Sequence, residues 1–185
     1  MSLEDIKARI PEYARDIRLN LSSVLGGTGT PGLADSQALG VALACAVAAK
    51  SNELVAAVEA HAGEKLDAAR RGAARAAAAV MAMNNVYYRF THFTGDPEYQ
   101  RLPARLRMNV IGNPGIDKAE FELYSLAVSA INGCEFCVRS HERILREAGY
   151  SREGVQSAAR IAAVMAAAAS VLATTPAPEA SAEAA

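Results

Sequence analysis

Long alanine-rich stretches, with larger apolar residues recurring at helical spacing, constrain this chain more than any other feature. Alanine is the strongest helix former, and its small side chain lets helices approach closely. The pattern is helical nearly throughout, so the expected fold class is all-α. The 185 residues, 51% hydrophobic and 21% charged, suffice for one well-buried core. A formal net charge of −1 gives no reason to expect nucleic acid or an anionic membrane as a partner. The opening Met1-Ser2-Leu3-Glu4-Asp5-Ile6-Lys7 has mixed charge and no apolar run, unlike a signal peptide. The longest apolar stretch, Ile161 to Ala173, is too short to cross a bilayer.

Punctuation divides the helical pattern. Ser2 is placed to cap a short opening helix, and Pro11 to sit in the first turn of a second. The run Gly26-Gly27-Thr28-Gly29-Thr30-Pro31-Gly32 must be a loop; it lacks the Gly-Lys-Ser/Thr ending of a phosphate-binding loop, and no strand precedes it. Periodicity resumes from Asp35 to Ala49, Ser51 to Ala62 and Leu66 to Asn84. The aromatic segment from Tyr87 to Tyr99 suits a packed core or a subunit contact better than a base-stacking surface. Asn113-Pro114-Gly115 is a turn, and Asp117 with Glu120 forms a capping box for a helix running to about Ile131. Another helix starts at Gly133–Cys134 and ends near Gly149; Ser151 caps the last, which fades at Thr174-Thr175-Pro176. The expected organisation is one helical domain over residues 1–175 and a disordered tail over 176–185.

A faint internal repeat runs through this pattern. Leu43-Ala44-Cys45-Ala46-Val47 through Glu59 echoes Leu126-Ala127-Val128-Ser129-Ala130 through Glu142, 83 residues on. Alanine-rich helices imitate one another easily, so chance competes with two packed copies of one helical unit. If the repeat is real, Ser51 and Leu54 stand where Cys134 and Cys137 would be.

Committed chemistry concentrates in Asn132-Gly133-Cys134-Glu135-Phe136-Cys137-Val138-Arg139-Ser140-His141-Glu142. On a helix turning 100° per residue, Cys134, Cys137 and His141 fall within about 60° of one another. Residues three apart have α-carbons roughly 5–6 Å apart, within disulfide range. Near a helix N-terminus, free N–H groups and the helix dipole lower a thiol pKa from about 8.5 toward roughly 3.5–7.5. His141 would move a proton or stabilise the thiolate. This is equipment for reversible dithiol–disulfide exchange.

Other readings compete. A structural zinc site would need a fourth ligand, from Cys45, His61 or His92. Haem attachment would need histidine directly after the second cysteine, where Val138 stands, and a thioredoxin fold would need a βαβ context. Two unreactive buried cysteines are the blandest alternative; polar Glu135, Arg139 and Ser140 weigh against it. Cys45, in an Ala/Val/Leu run, reads as a core residue, and His61 and His92 as surface or structural. Three cysteines, an odd number, do not suggest a secreted disulfide framework, which favours the cytoplasm.

Beyond the motif, the run from Leu106 to Ile116, Phe121-Glu122-Leu123, Ala127 to Cys134, Met83 to Arg89 and Pro11 to Ile17 resemble the alkyl hydroperoxidase D (AhpD) family, within the larger carboxymuconolactone decarboxylase-like group. The resemblance covers nearly the whole chain. It implies an AhpD-like multi-helix fold, a homotrimer, and a peroxidase and disulfide-reductase activity that regenerates the peroxiredoxin AhpC. Electrons would come from dihydrolipoamide, a co-substrate rather than a bound cofactor, carried by a lipoylated 2-oxoacid dehydrogenase acyltransferase and recharged by dihydrolipoamide dehydrogenase. By the same resemblance, Cys137 matches the cysteine that becomes a sulfenic acid, Cys134 its proton-donating and resolving partner, and His141 and Glu122 the proton relay; no metal is implied. Phe136 departs from close relatives that carry histidine there. The decarboxylase branch of the group, which needs no thiol pair, is the alternative enzyme, and a zinc-dependent or redox-gated interaction protein the non-enzymatic one.

Overall fold

The computed structural model describes residues 1–175; the tail expected over 176–185 lies outside the described residues. Ten α-helices and two short 3-10 turns account for the ordered elements, with no strand among the described residues. They are α1 (Leu3–Arg9), α2 (Arg15–Leu25), α3 (Asp35–Ala48), α4 (Asn52–Ala62), α5 (Ala68–Phe93), α6 (Pro97–Arg101), α7 (Asn109–Gly112), α8 (Lys118–Ile131), α9 (Glu135–Glu147) and α10 (Arg152–Thr174).

Sequence punctuation and helix ends agree in most places. Ser2 forms a reciprocal capping box with Asp5, and Ser51, Asp67 and Ser151 each accept a backbone N–H from the first turn that follows. Pro11 precedes a 3-10 turn, Glu12–Ala14, rather than opening α2 directly. The box expected at Asp117 is half formed: Asp117 accepts from the Glu120 N–H, but the Glu120 carboxylate turns inward. There it accepts from Arg70 Nε at 2.9 Å and from the Tyr124 hydroxyl at 2.6 Å. Glu120 is only 4% exposed, so it needs both partners. Burial, then the bond to Glu120, pushes the Tyr124 phenol well above its usual pKa. Gly40 on α3 leaves the space this ring occupies, because a Cβ there would overlap the phenol.

α5 runs on through the aromatic segment to Phe93, past the Asn84 boundary expected from periodicity. Nothing between Asn84 and Phe93 breaks a helix; the stop comes at Thr94-Gly95, where Gly95 has φ 64°. α10 holds the apolar stretch judged too short to span a bilayer. As a 23-residue helix it is long and apolar enough by length and composition, with half of its most apolar window buried in the bundle. It packs against α2, α3 and α8, burying Ile161, Met165, Ala168 and Leu172. The core is continuous through α3, α5, α8 and α10, and alanines 42, 44, 74, 77, 127 and 158 bring these helices close.

The internal repeat is real in three dimensions. α3 and α8 are both 14 residues long and begin 83 residues apart; α4 and α9 begin at the same offset. Their junctions share one hydrogen-bond pattern. Ala49, Lys50 and Ser51 donate backbone N–H groups to Cys45, Val47 and Ala46; Asn132, Gly133 and Cys134 donate theirs to Val128, Ala130 and Ser129. Both junctions pass through a left-handed residue, Lys50 at φ 58° and Gly133 at φ 65°. The third helix of each unit packs on both: α5 lies against α3 and α8, and α10 against α3 and α8.

Candidate active site

The site lies at the α8–α9 junction. Gly133 takes a left-handed conformation in the sharp link between these helices, which favours glycine. Cys134 follows as the N-cap of α9, with extended backbone (φ −92°, ψ 91°). The helix therefore begins one residue later than the sequence pattern suggested. A helical wheel describes Cys137 and His141 but not Cys134, whose direction is set by the cap.

The cap still brings the sulfurs together. Cys134 and Cys137 form a disulfide with α-carbons 5.3 Å apart, and Cys134 Sγ accepts the Cys137 backbone N–H at 3.3 Å. Sulfur takes the place of the hydroxyl that Ser51 offers to Leu54 N–H in the first repeat. The free N–H groups of the first turn and the positive end of the α9 dipole surround this position, a setting that stabilises a thiolate once the bond is reduced.

The two cysteines differ in access. Both are buried, at 1% and 5% exposure, but Cys137 lines a cavity of about 270 Å³. Around that cavity stand Glu122 from α8, Asn84 and Tyr88 from α5, and Phe136, Ser140 and His141 from α9, with Met108 and Ile111 closing one side. Cys134 does not line it.

Glu122 and His141 meet across the α8–α9 contact, Oε2 to Nδ1 at 2.5 Å. His141 is 9% exposed overall, and the two side chains are similarly secluded, at 11% and 12%. The carboxylate holds the ring through Nδ1 and leaves Nε2 without a hydrogen bond to any described residue. His141 lies one turn after Cys137 on the same helical face. All four residues singled out from the sequence are thus gathered at one junction. Glu120, two residues before Glu122, instead faces Arg70 and Tyr124. Asn84 joins this lining without having been singled out by its spacing; its only mark in the sequence is an adjacent asparagine pair inside an otherwise alanine-rich helix.

A second cavity, of about 250 Å³, adjoins the first through the shared residues Tyr88 and Phe136. Their rings stack with centroids 5.5 Å apart. The aromatic segment is not core within this chain: Phe90, Phe93, Tyr99 and Leu102 are exposed, together with Phe136. His92 is exposed near Glu135, 3.7 Å away. His61 bonds the Leu25 carbonyl through Nε2, and Cys45 is fully buried, which pushes its thiol pKa up. No group of three or more His, Cys, Asp or Glu side chains among the described residues is arranged to hold a metal.

Residues 97–180 match the carboxymuconolactone decarboxylase family. Much closer relatives cover nearly the whole chain. The alkyl hydroperoxide reductase AhpD of Rhodopseudomonas palustris (strain BisA53) is 53% identical over 165 residues, 89% of this chain and 90% of that protein. That of Rhodospirillum centenum is 53% identical over 172 residues, 93% and 91% of the two chains. The AhpD of Coxiella burnetii is 51% identical over 163 residues, 88% and 92%. The chain belongs to the AhpD family within that larger group.

Proposed function

We propose that this chain is an alkyl hydroperoxide reductase working through reversible oxidation of Cys134 and Cys137. The observation that carries the reading is the shared cavity: Cys137 opens into it together with the Glu122–His141 pair, while its disulfide partner stays behind. A nucleophile, a proton carrier and a resolving thiol are the parts that peroxide reduction needs.

In the first step the Cys137 thiolate attacks the terminal oxygen of a hydroperoxide. An S–O bond forms, the O–O bond breaks, and the departing alkoxide takes a proton from His141 to leave as an alcohol. Cys137 is now a sulfenic acid. Cys134 then attacks the Cys137 sulfur and gives up its own proton; the disulfide forms and the hydroxyl leaves as water. Two thiols are oxidised and one peroxide is reduced. A dithiol of the dihydrolipoamide type restores the pair by thiol–disulfide exchange and is itself oxidised to a cyclic disulfide. Glu122 holds the His141 ring and stabilises it while charged.

In this reading the electrons reach dihydrolipoamide from a lipoylated 2-oxoacid dehydrogenase acyltransferase and its dihydrolipoamide dehydrogenase. The reduced pair also regenerates the peroxiredoxin AhpC through a mixed disulfide. The cytoplasm is the compartment that keeps such a pair reduced. The exposed strip of Phe90, Phe93 and Leu102 is a surface that the homotrimer would cover.

The test is turnover of cumene hydroperoxide with dihydrolipoamide by the parent and by Cys137→Ser. The expected result is loss of activity to background in the variant; equal rates would end the proposal.

A further inference from the structure

Two asparagines sit side by side on α5, and the structure uses them differently. Asn85 is 1% exposed and bonded at both ends of its amide: Nδ2 donates to Ser129 Oγ at 2.9 Å, and Oδ1 accepts from Asn132 Nδ2 at 2.9 Å. It ties α5 to the α8–α9 junction. Asn84 is 4% exposed, and its side chain makes no hydrogen bond to any described residue; its Oδ1 is sealed from solvent without a partner. A buried amide left unsatisfied costs about 1–3 kcal/mol, so such a group calls for an explanation. It lines the cavity that holds Cys137, Glu122 and His141. The remaining walls near it, Met81, Tyr88, Met108 and Ile111, are largely apolar.

Resting on the reading above, we propose that Asn84 is a further catalytic residue whose carboxamide binds the hydroperoxide group in front of Cys137. The chemistry is complementary. A hydroperoxide carries one O–H donor and oxygen acceptors; a carboxamide carries one acceptor and two donors. The amide N–H donates to the oxygen on which negative charge grows as the O–O bond lengthens. Cys137 forms the new S–O bond, and His141 returns the proton to the departing oxygen. Asn84 moves no proton; its contribution is orientation and stabilisation of charge. The ligand class is an organic hydroperoxide, whose hydrocarbon part meets the apolar wall. Asn84 has no polar counterpart on α10, where residues 166–169 are all alanine.

The experiment compares the reduced parent protein with Asn84→Leu and Asn84→Asp, which nearly keep the volume and remove the N–H donors. Two rates are measured at a pH where the thiolate is fully formed, judged by its ultraviolet absorbance. One is Cys137 oxidation by cumene hydroperoxide in quenched flow; the other is reduction of the preformed disulfide by dihydrolipoamide. The expected result is a fall of about 10- to 100-fold in the first rate constant for both variants. The second rate, which involves no peroxide, should stay within about threefold for Asn84→Leu. If peroxide oxidation stays within about threefold of the parent in both variants, Asn84 does not bind the peroxide and the inference is wrong. If either variant fails to fold, the other decides. Cys137→Ser runs alongside: if it still consumes peroxide at the parent rate, the peroxidase reading itself has failed, a separate outcome.

Discussion

The α3–α4 and α8–α9 units share a backbone and a junction but not a chemistry. At the first junction Ser51 caps α4, and Leu54 fills the space inside its first turn. At the second, Cys134 caps α9 and Cys137 takes the place of that leucine. The contrast extends to the pair bonded beside the cysteines. His141 corresponds to Val58 and Glu122 to Leu39, and both apolar residues are buried. One unit is a helix hairpin with an apolar interior; the other is the same hairpin with a cysteine pair and a hydrogen-bonded Glu–His couple in it. Few residues separate the two units, because the shared cap geometry places residues 134 and 137 within bonding distance.

The sharpest way to break the comparison is to give the second unit the first unit's residues. Glu122→Leu with His141→Val should lower peroxide turnover by about 10²- to 10⁴-fold, the usual worth of a proton-transfer group. Replacing both members of a secluded pair by apolar side chains leaves no unpaired charge, so the thermal midpoint should hold or rise. Assay and melting curve on the same preparation check both halves; a large fall in midpoint would mean the pair holds the fold together.

A smaller effect concerns the left-handed residue at each junction. Lys50 adopts φ 58° with a side chain that disfavours it, whereas Gly133 adopts φ 65° freely. Lys50→Gly should add up to about 1 kcal/mol of stability, and Gly133→Lys should remove about as much. For a chain of this size each amounts to roughly 2–4 °C in the melting midpoint. Movement in the same direction would show that the junctions are not equivalent.

The smallest effect is electrostatic. Glu59 on α4 bonds Arg75 at 2.6 Å, and that bond holds its pKa below the usual carboxylate value despite partial burial. Its counterpart Glu142 makes no ion pair among the described residues. A carboxylate with a depressed folded-state pKa adds stability above its unfolded pKa of about 4.3, and loses it as pH falls through the folded value. Arg75→Gln should therefore flatten the stability–pH curve between about pH 5 and 3, with a small loss of stability at pH 7, where the contribution is fully present, and little change below about pH 3; denaturant titrations at several pH values check this.

Much of this was legible in the sequence because caps and periodicity are local. Ser2, Ser51 and Ser151 marked helix starts, and the 83-residue echo marked the repeat. Spacing alone was a weaker guide at Cys134, where an N-cap departs from helical geometry by one residue. Glu120 and Glu122 could not be separated locally, since their roles depend on Arg70 and Tyr124 on one side and His141 on the other. Asn84 was invisible for the same reason: its significance lies in what faces it across α5 and α9.

The most direct test is to titrate the fully reduced protein with one equivalent of cumene hydroperoxide, alkylate the remaining thiols and map them by peptide mass spectrometry. The expected outcome is a Cys134–Cys137 disulfide formed in near-stoichiometric yield, with Cys45 still a thiol inside the core. Cysteines 134 and 137 still alkylated as free thiols after the peroxide has been added, or Cys45 oxidised in their place, would contradict a redox pair seated at the α9 cap.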